Sequence, residues 1–104
     1  SGWITPTLLN GYAHFDGAGS PFQYCRFNGI IFFRGLLSGG ANQQVAFQLP
    51  PGFRGYWLRG NAHFPFILGD NSAMCRVTSS GAVAPNIAGS YIDLSSISFP
   101  VGTA

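Results

Sequence analysis

Lysine and glutamate are both missing from this 104-residue chain: its five basic residues are all arginine, its three acids are all aspartate, and charged residues make up 8% of the total. About a quarter is usual for soluble domains. The two missing types are the common surface formers of helices, so a helical fold with solvated outer faces is excluded. Cysteine is scarce, and the spacing of Cys25 and Cys75 fits no zinc or redox motif. One disulfide or two buried thiols both satisfy the count; thiols suit a protein assembled in the cytoplasm, where they pack as small hydrophobes. Long apolar runs are absent too. The richest stretch, Ile30 to Leu37, is broken by Arg34 and Gly35, whereas a membrane span needs about 20 residues. Membrane insertion is therefore not expected, and no signal-peptide pattern opens the chain. A net charge of +2 carried by scattered arginines does not make the basic stripe that phosphate backbones require, which excludes nucleic acid as the expected partner.

What is present is apolar and aromatic: 46% hydrophobic, 15% aromatic, with 15 glycines and 7 prolines. Disorder is excluded, because burial on this scale offsets the entropy of ordering. The length allows one domain, 1–104, and neither a repeat nor a linker divides it. Residues 1–11 read as an extended N-terminal arm, interrupted by Pro6 and ended by Asn10-Gly11. Strands are expected at Tyr12–Phe15 and Phe22–Phe27. Asn28-Gly29 then supplies a type I′ hairpin turn, and Ile30–Leu37 returns as one strand buried on both faces. Further strands are expected at 45–49, 56–59, 63–68 (with Pro65 pushing it toward an edge), 73–78, 82–84, 91–94 and 97–99, separated by loops such as 16–21, 38–42 and 69–72. Short strands at this spacing with turn chemistry between them define an all-β fold, an antiparallel β-sandwich of jelly-roll type.

A domain this small buries only about 65% of the surface its unfolded chain exposes. Large rings such as Phe32, Phe33, Phe47, Trp57, Phe64 and Phe66 should therefore leave an apolar patch outside, and such patches mark interfaces. Lysine, the usual guard of sheet edges, is missing. Self-association follows, with Trp3, Tyr12, Phe32 and Phe64 as interface candidates; the alternative is that every ring packs into one core.

Five segments taken in order, Trp3 to Tyr12, Phe33-Arg-Gly-Leu36, Phe47-Gln-Leu-Pro-Pro-Gly-Phe-Arg54, Arg76-Val-Thr-Ser-Ser-Gly-Ala-Val83 and Tyr91 to Phe99, resemble the C-terminal receptor-binding (head) domain of bacteriophage tail-fibre and minor tail proteins. The resemblance covers nearly the whole chain. It departs from the pattern at Gly55 to Ser72, which lacks a proline straight after Arg54. It implies a β-sandwich head, homotrimeric about a fibre axis, attached to an upstream shaft or baseplate at the virion tip, that adsorbs to host cell-surface polysaccharide. A trimer with shallow sites would gain by avidity. A purely structural trimerisation or decoration module of the virion, or a free-standing lectin, would use the same fold.

Catalysis finds no support: Asp16, Asp70 and Asp93 lie on separate segments, His14 and His63 are the only imidazoles, and no nucleophile-elbow sequence occurs. No cofactor is expected, nor a metal, since His-x-His and Cys-x-x-Cys are absent. Sugar binding needs an aromatic face beside planar polar groups, and Trp57, Arg59, His63, Asp70 and Asn71 are the candidates on that chemistry. Each has a plainer role available: core packing for Trp57, a solvated strand position for Arg59, turn chemistry for Asp70 and Asn71. Asp93 is expected to cap or pair locally, with Arg76 as a possible partner.

Overall fold

The computed structural model describes residues 2–15, 21–41, 44–68 and 71–102; residues 16–20 of the loop read at 16–21, together with Asn42, Gly69 and Asp70, lie outside them. The described residues form ten strands: β1 (Tyr12–His14), β2 (Gln23–Phe27), β3 (Ile30–Arg34), β4 (Leu36–Gly39), β5 (Phe47–Gln48), β6 (Asn61–Leu68), β7 (Asn71–Thr78), β8 (Ala82–Ala84), β9 (Gly89–Asp93) and β10 (Ser98–Pro100). They build two antiparallel sheets, one of seven strands in the order β1-β4-β9-β6-β7-β8-β5 and one of three in the order β10-β3-β2. The expected antiparallel sandwich thus forms, with its strands shared unequally.

The β2–β3 hairpin turns at Asn28 and Gly29, with φ of 53° and 77°, the double positive φ of a type I′ turn. Ile30 to Leu37 is not the single strand expected from its apolar density. Gly35, at φ 93°, breaks it into β3 in the small sheet and β4 in the large one. A side chain there would meet the Phe22 Cα at 2.8 Å and the Pro21 carbonyl oxygen at 3.0 Å, so glycine is what lets the chain cross between layers. Nor is β3 buried on both faces: Ile31 and Phe33 point inward, while Phe32 and Arg34 point out. Pro65 lies inside β6, which has neighbours on both sides. The β9 partner covers only Ile67 and Leu68, so the proline sits where β6 has no second ladder to feed.

The core is a set of rings clamped between the layers. Phe47 lies with its ring centre 5.3 Å from that of Phe22, 5.8 Å from Phe33 and 6.2 Å from Tyr24, and Leu37, Phe66, Val77, Val83, Ile92 and Leu94 complete the packing. Asp93 caps the turn after β9, accepting from the Ser95 amide at 2.9 Å and the Ser95 hydroxyl at 2.6 Å; the local role is the one seen, not a bond to Arg76.

Both cysteines are free and buried. Cys75 points into the core from β7, and burial pushes its thiol up to about 12. The Tyr12 and Tyr24 phenols are raised as well, chiefly by burial, Tyr12 also by its proximity to Cys75. An unfolded thiol ionises near 9.0, so above that pH the unfolded chain holds fewer protons than the native one and stability falls. We expect the unfolding free energy to be level up to about pH 8.5 and to drop above pH 9 with a slope approaching about 1.4 kcal/mol per pH unit from Cys75. Urea titrations from pH 7 to 11 on the wild type and Cys75→Ala check this; an equal slope in both would remove Cys75 as the cause.

Candidate functional site: a cleft at the Pro51 and Ser79 turns

The loop that follows β5 and the turn between β7 and β8 face each other across an open cleft of about 500 Å³, lined by Pro51, Gly52, Arg54, Gly55, Tyr56, Ser79, Ser80 and Gly102. Its walls are fixed by the backbone. Leu49 donates to the Gly81 carbonyl at 2.7 Å, Gly102 to the Arg54 carbonyl at 2.8 Å, and Phe53 closes the Pro50 turn at 3.1 Å. The Ser79 hydroxyl accepts from the Trp57 amide at 3.0 Å, and the Thr78 and Ser80 hydroxyls share a hydrogen bond of 2.9 Å.

Arg54 is held through one nitrogen. Its Nε donates to the Leu49 carbonyl at 2.7 Å, while Nη1 and Nη2 have no hydrogen-bond partner among the described residues. Gly81, at φ 101°, makes room for this arrangement: a Cβ there would stand 2.4 Å from the Leu49 oxygen and 2.6 Å from Arg54 Nε. Tyr56 is 50% exposed. The cleft therefore offers a half-exposed phenol ring, a guanidinium fork with its terminal nitrogens unspent, and serine hydroxyls. These groups suit a hydroxylated ligand with one apolar face.

The five residues singled out for sugar chemistry do not converge. Trp57 is half-buried, its ring edge-on to Phe64 at 6.1 Å and to Phe99 at 5.4 Å, so packing takes up much of the indole. The strand expected at 56–59 is a turn instead, closed by the Gly60 amide on the Trp57 carbonyl at 2.8 Å, and Arg59 is exposed upon it. His63 is exposed on the outer side of β6, opposite Arg76. Asn71 begins β7 opposite Leu68, five residues from Arg76 and so about 17 Å along the hairpin. Asp70 lies outside the described residues. Arg54 and Tyr56 were missed because they read as the end of one loop and the start of a strand. The signal that could have found them is the Pro50-Pro51-Gly52 turn itself, since binding groups concentrate on loops held by a rigid scaffold.

The four interface candidates divide similarly. Trp3 and Phe32 do share a surface, the outer face of the small sheet, where they stand 38% and 37% exposed beside Phe27 at 61%. Tyr12 is not available there: its ring is buried in the protomer, and its hydroxyl donates to the carbonyls of Ile87 at 3.0 Å and Ala41 at 3.2 Å. Phe64 packs, half-buried, against Trp57 and Phe99 on the inner side of β6.

A second cleft of about 460 Å³ lies beneath the N-terminal arm, between Thr5, Pro6, Thr7 and Leu9 on one side and Tyr24, Gln48 and Pro50 on the other. Among the described residues no three His, Cys, Asp or Glu side chains come together as a metal site would require.

The two-sheet architecture is that of phage receptor-binding head domains. The receptor-binding protein gp15 of Listeria phage PSA superposes with a TM-score of 0.70 at 17% identity, over 96% of this chain and 64% of that one. The chain thus spans less than two thirds of the Listeria phage protein. The head domain of lactococcal phage bIL170 superposes with a TM-score of 0.54 at 20% identity, over 96% of this chain and 97% of that domain. No family model and no curated protein sequence matches the chain.

Proposed function

We propose that this chain is a non-enzymatic receptor-binding head of a phage tail fibre or baseplate protein, carried at the virion tip. It assembles as a homotrimer and adsorbs to host cell-surface carbohydrate through the cleft of Arg54 and Tyr56. The observation that carries the reading is the fold, shared over 96% of the chain with two proteins described as receptor-binding. The cleft adds the chemistry: the half-exposed Tyr56 ring for the C–H side of a sugar, with donors beside it for the hydroxyls. The patch of Trp3, Phe27 and Phe32 adds the subunit contact, because exposed aromatic clusters of this kind mark interfaces.

Two measurements test it. Fluorescently labelled protein is incubated with purified wall polysaccharides from a panel of bacterial strains, Listeria and lactococci among them, and its mass is followed by sedimentation. Retention on the polysaccharide of some strains, as a species of three chains, is expected. Silence across the panel, or a clean monomer of 11.1 kDa at micromolar concentration, overturns respectively the receptor and the trimer. Release of sugar fragments with time would make it an enzyme instead.

A further inference from the structure

The N-terminal arm is fastened in two unequal halves. Its second half is anchored in depth: Pro6 is buried, Leu8 packs on the core, the Leu9 amide donates to the Ala46 carbonyl at 2.8 Å, and the Asn10 side chain reaches the Val45 carbonyl at 2.8 Å. Its first half, residues 3–5, lies along the free edge of β2 and is held, among the described residues, by surface contacts. Ile4 and Tyr24 exchange two backbone hydrogen bonds of 2.7 and 2.9 Å. Gln23 ties both neighbours together, accepting from Arg34 at 2.7 and 3.1 Å and donating to Thr5 Oγ1 at 3.0 Å. The Arg34 guanidinium sits 4.2 Å from the centre of the Trp3 ring.

That register decides what the clasp covers. With Ile4 opposite Tyr24, antiparallel pairing sets Trp3 opposite Cys25, on the outward face that Cys25 shares with Phe32. Cys25 nevertheless is only 6% exposed. It lies at the surface of the small sheet beneath cover, whereas Cys75, 0% exposed, lies inside the sandwich. A segment with few buried contacts and exposed hydrogen bonds opens at a lower free energy than the whole domain.

We infer that residues 3–5 form a clasp that lifts from β2 while the sandwich stays folded, baring the β2 edge and Cys25 and removing the Thr5 wall of the cleft beneath the arm. The closed clasp protects an edge that would otherwise accept a foreign strand. Its opening is a local movement of the arm about the anchored Pro6, independent of the sugar reading; because the proposed subunit contact would cover Trp3, it belongs to the dissociated chain and is measured there.

The two thiols report on it, one beneath the clasp and one in the core. Intact protein is treated with a maleimide at pH 7, at dilutions low enough that the rate no longer depends on protein concentration, and each cysteine peptide is quantified by mass. Cys25 is expected to react more than tenfold faster than Cys75. Arg34→Met, which keeps Trp3 but removes the cation, should accelerate Cys25 about five- to tenfold, the worth of a surface cation–π contact with its hydrogen bonds. Ile4→Pro, which removes the bridging amide, should do the same, with Cys75 unchanged in both. The inference is overturned if the two cysteines react at one rate, if the variants accelerate them in parallel, or if neither variant moves Cys25. Loss of polysaccharide binding has no bearing on this readout.

Discussion

Phe47→Ala is expected to remove about 3–5 kcal/mol of stability, the range for a buried phenylalanine truncated in a packed core, and so to take a large share of the margin of about 5–15 kcal/mol that a domain of this size has. β5 is two residues long and holds to β8 by a short ladder; its hydrogen bonds cannot be what fixes it. The ring does that. It is fully buried and touches Phe22, which precedes β2, as well as Tyr24 of β2 and Phe33 of β3, so a residue at the edge of the large sheet is the contact through which that edge grips the small one. Truncation leaves a cavity bounded by three other rings, which cannot all close on it without leaving their own contacts. Urea unfolding followed by tryptophan fluorescence gives the number. Leu58→Ala, at a position 93% exposed and outside the proposed subunit contact, serves as the control and should change stability by less than about 1 kcal/mol. A loss below about 1.5 kcal/mol at Phe47 would mean that the two sheets are joined elsewhere.

The contrast between buried Phe47 and outward-facing Phe32 shows what could be read from sequence. Turn chemistry was legible because it is local: Asn28-Gly29 is an I′ turn in any context that offers two strands, and β7 to β10 fall close to where Gly, Ser and Asn punctuation puts them. The break at Gly35 was not legible, because apolar density does not say to which sheet each half of a run belongs; only the approach of Phe22 to the bend requires glycine there. Tyr56 to Arg59 alternates like a strand, yet the Gly60 amide closes it into a turn and Trp57 swings onto Phe99. For the rings, composition gave the surplus but not its address: Tyr12 and Phe64 turn inward, and Trp3 joins Phe32 only because Ile4 adds to the edge of β2. The cleft was the least legible of all. Arg54 and Ser79 are far apart in the chain and meet because β5 lies beside β8, a pairing that no local pattern announces.

The remaining large effect is expected on binding, and two substitutions divide it. Tyr56→Ala takes away the exposed ring of the cleft, whereas Phe32→Asp places a carboxylate in the middle of the aromatic patch on the small sheet. If one contact at each cleft is worth about tenfold, or 1.4 kcal/mol, Tyr56→Ala weakens a soluble, monovalent oligosaccharide by about that factor. On a polysaccharide surface, where the three clefts of the proposed trimer would engage together, the loss compounds to between about tenfold and a thousandfold. Phe32→Asp acts elsewhere: burying three unpaired carboxylates at the proposed subunit contact would be costly, so a trimer built on that face should dissociate. The free chain should keep the monovalent affinity of the wild type but lose the avidity of about 10²–10⁴ that linked sites confer. Titration with a soluble fragment of whichever polysaccharide retains the protein, beside surface binding of each variant, separates the two. Should Phe32→Asp remain three chains and bind normally, the small-sheet face is not the contact. If Tyr56→Ala leaves the soluble fragment's affinity intact, sugar is held somewhere other than the cleft, and the slot beneath the arm, with the Tyr24 ring and Gln48 in its wall, becomes the place to look.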